Sequence, residues 1–74
     1  MEKFTYTEEY EEMIQKIVKL RIDTGLSETD FANVLQVDQS TISKIEHCVR
    51  ELHISELIMI CRYFKKELDY FITL

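Results

Sequence analysis

Residues 26–46 read LSETDFANVLQVDQSTISKIE, and this stretch decides the fold. Ser27, followed by Glu28-Thr29-Asp30, has the chemistry of a helix N-cap with acids in the first turn, and Phe31, Ala32 and Leu35 follow as its inward face. Asp38, followed by Gln39-Ser40-Thr41, is a second N-cap signal soon after the first. The apolar positions of this second helix are Ile42 and Ile45, three apart, while Gln39, Ser40, Ser43 and Lys44 form a polar, hydrogen-bonding face. The spacing therefore predicts two short helices joined by a turn near Leu35-Gln36-Val37-Asp38.

Upstream, Tyr10, Met13, Ile14, Ile17 and Val18 recur at helical spacing, which predicts a helix over residues 7–23. Thr5 and Thr7 are candidate N-caps, and Thr5 with Glu8 fits a capping box. Gly25, the only glycine, stands where this helix must stop and suits a left-handed C-terminal residue. Downstream the pattern breaks from His47 to Leu52. A further helix is expected over residues 54–64, carrying Leu57, Ile58, Ile60, Cys61 and Phe64. Leu68, Phe71, Ile72 and Leu74 then form a last short helix or an extended tail. The class is all-α, with four or five helices and short connections; one glycine and no proline argue against tightly turned sheets.

Composition excludes several classes. Seventy-four residues make one domain, organised as an acidic segment (1–12) leading into the first helix and a helical body (13–74). No apolar run approaches the roughly 20 residues of a membrane span, and the acidic start does not read as a secretory signal. Cys48 and Cys61 lack metal-site spacing and are expected as reduced thiols in a cytoplasmic protein. Cys61 falls at a core spacing; His47 and His53 read as surface residues. No nucleophile–base set or phosphate loop points to an enzyme, a cofactor or a small-molecule substrate, and no metal is expected. The net charge is −5, of which residues 1–12 contribute −4, so the body is close to neutral and any basic patch is local.

Two helices arranged in this way are a helix-turn-helix, whose second helix enters the major groove of DNA. Gln can read adenine through its amide, Lys can read guanine, and Ser or Thr can serve several bases or a phosphate. Leu26-Ser27-Glu28-Thr29-Asp30-Phe31-Ala32 followed by Val37-Asp38-Gln39-Ser40-Thr41-Ile42-Ser43-Lys44-Ile45-Glu46 resembles the Cro/C1-type (XRE) helix-turn-helix family. That family runs approximately L-S-Q-x-x-L-A, a turn, then V-S-x-x-T-I-S-x-x-E. The resemblance extends over roughly residues 17–72.

The resemblance implies a compact five-helix, lambda-repressor-like domain, here with an N-terminally extended first helix. It implies a sequence-specific double-stranded DNA-binding regulator, a repressor that binds a palindromic operator as a homodimer through helix 39–46. By position, Gln39, Ser40 and Lys44 match base-reading residues, and Thr41 and Ser43 match flanking positions that touch phosphate or support the helix. Arg21 and Glu46 match an ion pair tying the first helix to the third. Glu28 stands where the family often has a phosphate-contacting Gln; a carboxylate repels phosphate, so Thr29 or the backbone amides beside it take that expectation. Arg50 is a further candidate phosphate contact. Four positions depart from the family: Gln36 stands for Gly in the turn, His47-Cys48 for Asn-Gly, Leu52 for Pro, and Lys65-Lys66 for Gly-Val. A non-glycine residue in a left-handed turn costs about 1–2 kcal/mol.

Tyr70, Phe71, Ile72 and Leu74 are the candidate homodimer contacts, because the C-terminal region carries more aromatic surface than a small core readily encloses. Phe4, Tyr6 and Tyr10 form a rival surface. A second functional reading stays open: a protein-interaction module on the same scaffold, such as an antitoxin, engaging a partner through the acidic Glu8, Glu9, Glu11 and Glu12.

Overall fold

The computed structural model describes residues 7–72, which form five helices and no strand. They are α1 (Glu8–Asp23), α2 (Glu28–Leu35), α3 (Gln39–Glu46), α4 (Ile54–Phe64) and α5 (Leu68–Phe71). The C-terminal segment thus opens as a short helix rather than an extended tail. Thr5 of the expected Thr5–Glu8 capping box, together with Phe4, Tyr6 and Leu74, lies outside the described residues.

Local chemistry explains the helix starts. Thr7 caps α1, its hydroxyl accepting from the Tyr10 N–H at 3.2 Å. Ser27 and Asp30 form a reciprocal capping box on α2: the Asp30 N–H donates to Ser27 Oγ at 3.0 Å, and the Ser27 N–H to Asp30 Oδ2 at 3.3 Å. Asp38 caps α3 by accepting the Thr41 N–H at 2.9 Å. At α4 the Glu56 carboxylate reaches back to the His53 N–H at 2.7 Å.

The first four helices end alike. Gly25, Gln36, Cys48 and Lys65 each take a left-handed conformation, with φ between 56° and 79°. Beyond each, a backbone N–H closes onto a carbonyl five residues earlier: Leu26 on Arg21, Val37 on Ala32, Val49 on Lys44 and Lys66 on Cys61. Three of these four residues are not glycine. They are three of the departures noted in the sequence, and the turns keep the left-handed form despite the side chain.

The core is continuous. Met13, Ile14 and Ile17 of α1 meet Phe31, Ala32 and Leu35 of α2, Ile42 and Ile45 of α3, Leu57 and Ile60 of α4, Leu52 and Phe71. Packing joins α2 to α3 and α4, and α1 to α3 and α5. Phe71 is only 1% exposed and fills the monomer's own core, so it offers no dimer surface. Tyr10 is half-buried, with its phenol oxygen accepting the Leu52 N–H at 2.8 Å. Leu52 enters the core where the family often has proline, and Tyr10 belongs to the fold rather than to a free arm. Cys61 packs against the core, and burial pushes its thiol up, as suits a small apolar side chain.

Candidate nucleic-acid interface

Helix α3 is divided as the sequence predicts. Ile42 and Ile45 are buried, while Gln39, Ser40 and Lys44 are exposed. At 100° per residue, Gln39, Ser43, Ser40 and Lys44 fan over about 140° of the helix, opposite the two isoleucines. The buried stripe packs on α2 and α1, so it fixes which face looks outward.

The N-terminus of α3 is organised by carboxylates. Asp38 Oδ1 accepts from the Thr41 hydroxyl at 2.6 Å, the Thr41 N–H at 2.9 Å and the Ser40 hydroxyl at 3.0 Å. The Thr41 hydroxyl first, then its N–H and the Ser40 hydroxyl, hold the Asp38 carboxyl below the usual carboxylate range. Thr41 is thereby a supporting residue. Gln39 Nε2 donates to Glu28 Oε1 at 2.6 Å, a contact between α3 and the start of α2 that the sequence reading missed. Spacing alone cannot reveal it, because 11 positions separate the two residues.

Lys44 is exposed and forms no ion pair among the described residues. Ser43 is half-buried, and its carbonyl meets His47 Nδ1 at 2.7 Å. Thr29 is exposed in the first turn of α2, beside Glu28 and Asp30. Those two acids complement the helix dipole but set negative charge where a phosphate would approach.

Arg50 sits elsewhere. Its Nη1 and Nη2 donate to Glu56 Oε1 and Oε2 at 3.0 and 3.1 Å, and Nη1 also to the Glu51 carbonyl at 3.0 Å. A guanidinium so engaged braces the α3–α4 loop. Glu56 is a second residue the sequence reading missed; the His53-x-x-Glu56 spacing of a helix start was its available signal. Arg21 and Glu46 do form the expected pair, with Nε to Oε2 at 2.7 Å and Nη2 to Oε1 at 3.1 Å.

A helix-turn-helix family model matches residues 17–71 of this chain. The chain belongs to the Cro/C1-type helix-turn-helix family. It is similar to an uncharacterized HTH-type transcriptional regulator of Rickettsia prowazekii (strain Madrid E), with 32% identity over 57 residues. The match covers 77% of this chain and 44% of that protein. A second HTH-type regulator, from Rickettsia conorii (strain ATCC VR-613 / Malish 7), is 30% identical over 77% of this chain and 46% of its own length. The chain therefore spans less than half the length of these relatives. The five-helix arrangement is that of a lambda-repressor-like helix-turn-helix domain, and the family is non-enzymatic. Among the described residues no helix is long and apolar enough to cross a membrane.

Proposed function

We propose that this chain is a cytoplasmic, sequence-specific DNA-binding regulator that represses from a palindromic operator as a homodimer. The observation that carries the reading is α3 itself: Ile42 and Ile45 anchor it, and Gln39, Ser40 and Lys44 face outward together. Inserted in the major groove, Gln39 and Ser40 meet base edges near the helix N-terminus, and Lys44 reaches a guanine or a phosphate one turn later. Thr29 and Ser43 flank that face as candidate phosphate contacts. The dimer surface is assigned to Tyr70 and Ile72 with the exposed Leu68 beside them.

Low positive charge shapes the expected behaviour. Arg21 is paired with Glu46 and Arg50 with Glu56, and α3 carries a single cation, Lys44, so the proposed reading face displaces few counterions from phosphates. Fluorescence anisotropy with the intergenic duplex upstream of the gene, against a scrambled duplex, tests the proposal. The specific duplex should bind on the order of a thousandfold tighter, with a shallow salt dependence. Lys44→Ala should weaken that binding, while Arg50→Ala should leave the salt slope unchanged. Equal binding to both duplexes, or none at low salt, sinks the reading.

A second reading rests on Glu8, Glu9, Glu11 and Glu12, all exposed on one end of α1. On it, the chain is an interaction module whose acidic end holds a basic partner protein encoded beside it. Co-purification of the adjacent gene product, lost when those four acids are neutralised, supports it. Recovery of the chain alone from co-expression rejects it.

A further inference from the structure

The hydrogen bonds around the start of α3 have a direction, and that direction restricts which base can be read. Gln39 Nε2 lies 2.6 Å from Glu28 Oε1. An ionised carboxylate only accepts, so the amide must turn its nitrogen toward Glu28 and its Oε1 away. Ser40 Oγ donates its single proton to Asp38 Oδ1 at 3.0 Å, which leaves lone pairs on its outer side. Both exposed side chains at the N-terminus of α3 therefore present acceptors.

We infer that Glu28 is a specificity-positioning residue: by holding the Gln39 amide nitrogen, it commits this end of α3 to accepting from an exocyclic amino group at a base edge. In the major groove those groups are adenine N6 and cytosine N4. Adenine is the better match, since its N7 can also take the second proton of the Gln39 amide. Guanine offers acceptors at O6 and N7, and thymine an acceptor at O4. Toward either base only the second amide proton can serve, while Oε1 finds no amino group; to present a full donor edge the amide would have to flip, which sets Oε1 against the Glu28 carboxylate. Glu28 itself is half-buried and lies close enough to Glu46 to help raise that carboxyl.

The inference rests on α3 reading DNA, and one experiment separates the two. The full chain and its Glu28→Gln, Glu28→Ala and Gln39→Ala variants each select from a pool of randomised duplexes, and base frequencies are read at every position. The parent chain should enrich adenine, then cytosine, at one position per half-site, and Gln39→Ala should lose the preference there and nowhere else. Glu28→Gln can donate or accept, so it should admit guanine at that position, lowering the adenine-to-guanine ratio about tenfold. Glu28→Ala should do the same, with no carboxylate to orient the amide. Guanine or thymine at the Gln39-dependent position of the parent, or the same base frequencies with and without the Glu28 carboxylate, overturns the inference while leaving base reading by Gln39 intact. A Gln39→Ala pattern identical to the parent's, or no enrichment at all, removes the base-reading role and this inference with it.

Discussion

Arg21 and Glu46 meet as a two-bond fork whose third arm, Arg21 Nη1, donates to the Leu26 carbonyl at 2.8 Å. One guanidinium thus joins α1, the turn into α2 and the end of α3. The side chains are 12% and 6% exposed, so neither charge has water to fall back on. Burial pushes the Glu46 carboxyl up, Arg21 pulls it down, and the nearby Glu28 carboxyl adds to the rise; the net direction is upward.

That balance predicts an asymmetry between the two partners. Arg21→Met strands a buried carboxylate and should cost about 3–5 kcal/mol near neutral pH. Glu46→Gln removes a charge that burial already disfavours and should be the smaller loss. A carboxyl with a raised folded pKa binds its proton more readily in the folded state, so its contribution is best in acid and is lost as pH rises through the folded value. The Arg21→Met deficit should therefore shrink on acidification, as Glu46 protonates. Urea unfolding across the carboxylate range checks this; equal losses for both variants, or a deficit flat with pH, would refute it.

Glu56 titrates with the opposite sign. Burial alone would raise its carboxyl, but the hydrogen bonds from Arg50 and the His53 N–H, with the Arg50 charge, outweigh burial and hold it below its ordinary value. Its contribution is present above the unfolded carboxylate pKa and is lost as pH falls through the folded one. Glu56→Gln should cost about 1.5–3 kcal/mol at neutral pH, in the range of charged hydrogen bonds. The gap to the parent should close in acid. A gap that stays constant or widens as pH falls contradicts the assignment.

The left-handed helix ends predict stabilising changes. Gln36 and Lys65 hold φ of 59° and 56° with a side chain attached. Gln36→Gly and Lys65→Gly should each raise stability by up to about 1 kcal/mol, the relieved strain exceeding the added unfolded-state entropy. Gly25→Ala should lower it by about as much. A Cβ there meets nothing within 4 Å, so the loss is backbone strain offset in part by the lower unfolded-state entropy of Ala. Melting temperatures of the three variants decide the point, and a destabilised Gln36→Gly protein would show that the Gln36 side chain contributes more than its strain.

Neighbouring aromatic residues in α5 should behave differently. Phe71→Ala opens the core and should cost about 3–5 kcal/mol whatever the protein concentration. Tyr70 is 44% exposed, with Lys66 Nζ 4.6 Å from its ring centroid. Tyr70→Glu should leave the monomer folded and weaken the proposed dimer. Sedimentation equilibrium distinguishes the two, and a Tyr70→Glu protein that associates as the parent does would move the dimer surface off α5.

Helix positions were legible from residues 26–46 outward because they depend on local chemistry: Ser27 and Asp38 as caps, apolar residues at helical spacing, and Gly25 at a stop. The inward placement of Ile42 and Ile45, and hence the outward set Gln39, Ser40 and Lys44, followed from periodicity. The Arg21–Glu46 pair was legible only through resemblance, since nothing local links positions 25 apart.

What the chain alone determined, then, was where helices begin and end and which side of α3 is polar, because capping and periodicity act within a few residues. Tertiary structure decided what each polar group faces. It turned Arg50 onto Glu56, folded Phe71 inward while leaving Tyr70 out, and brought Glu28 to Gln39. Those choices depend on how the helices cross, which is set by the shared core. Sequence reading could make α3 polar; only the packing of α2 against α3 set the direction of its hydrogen bonds.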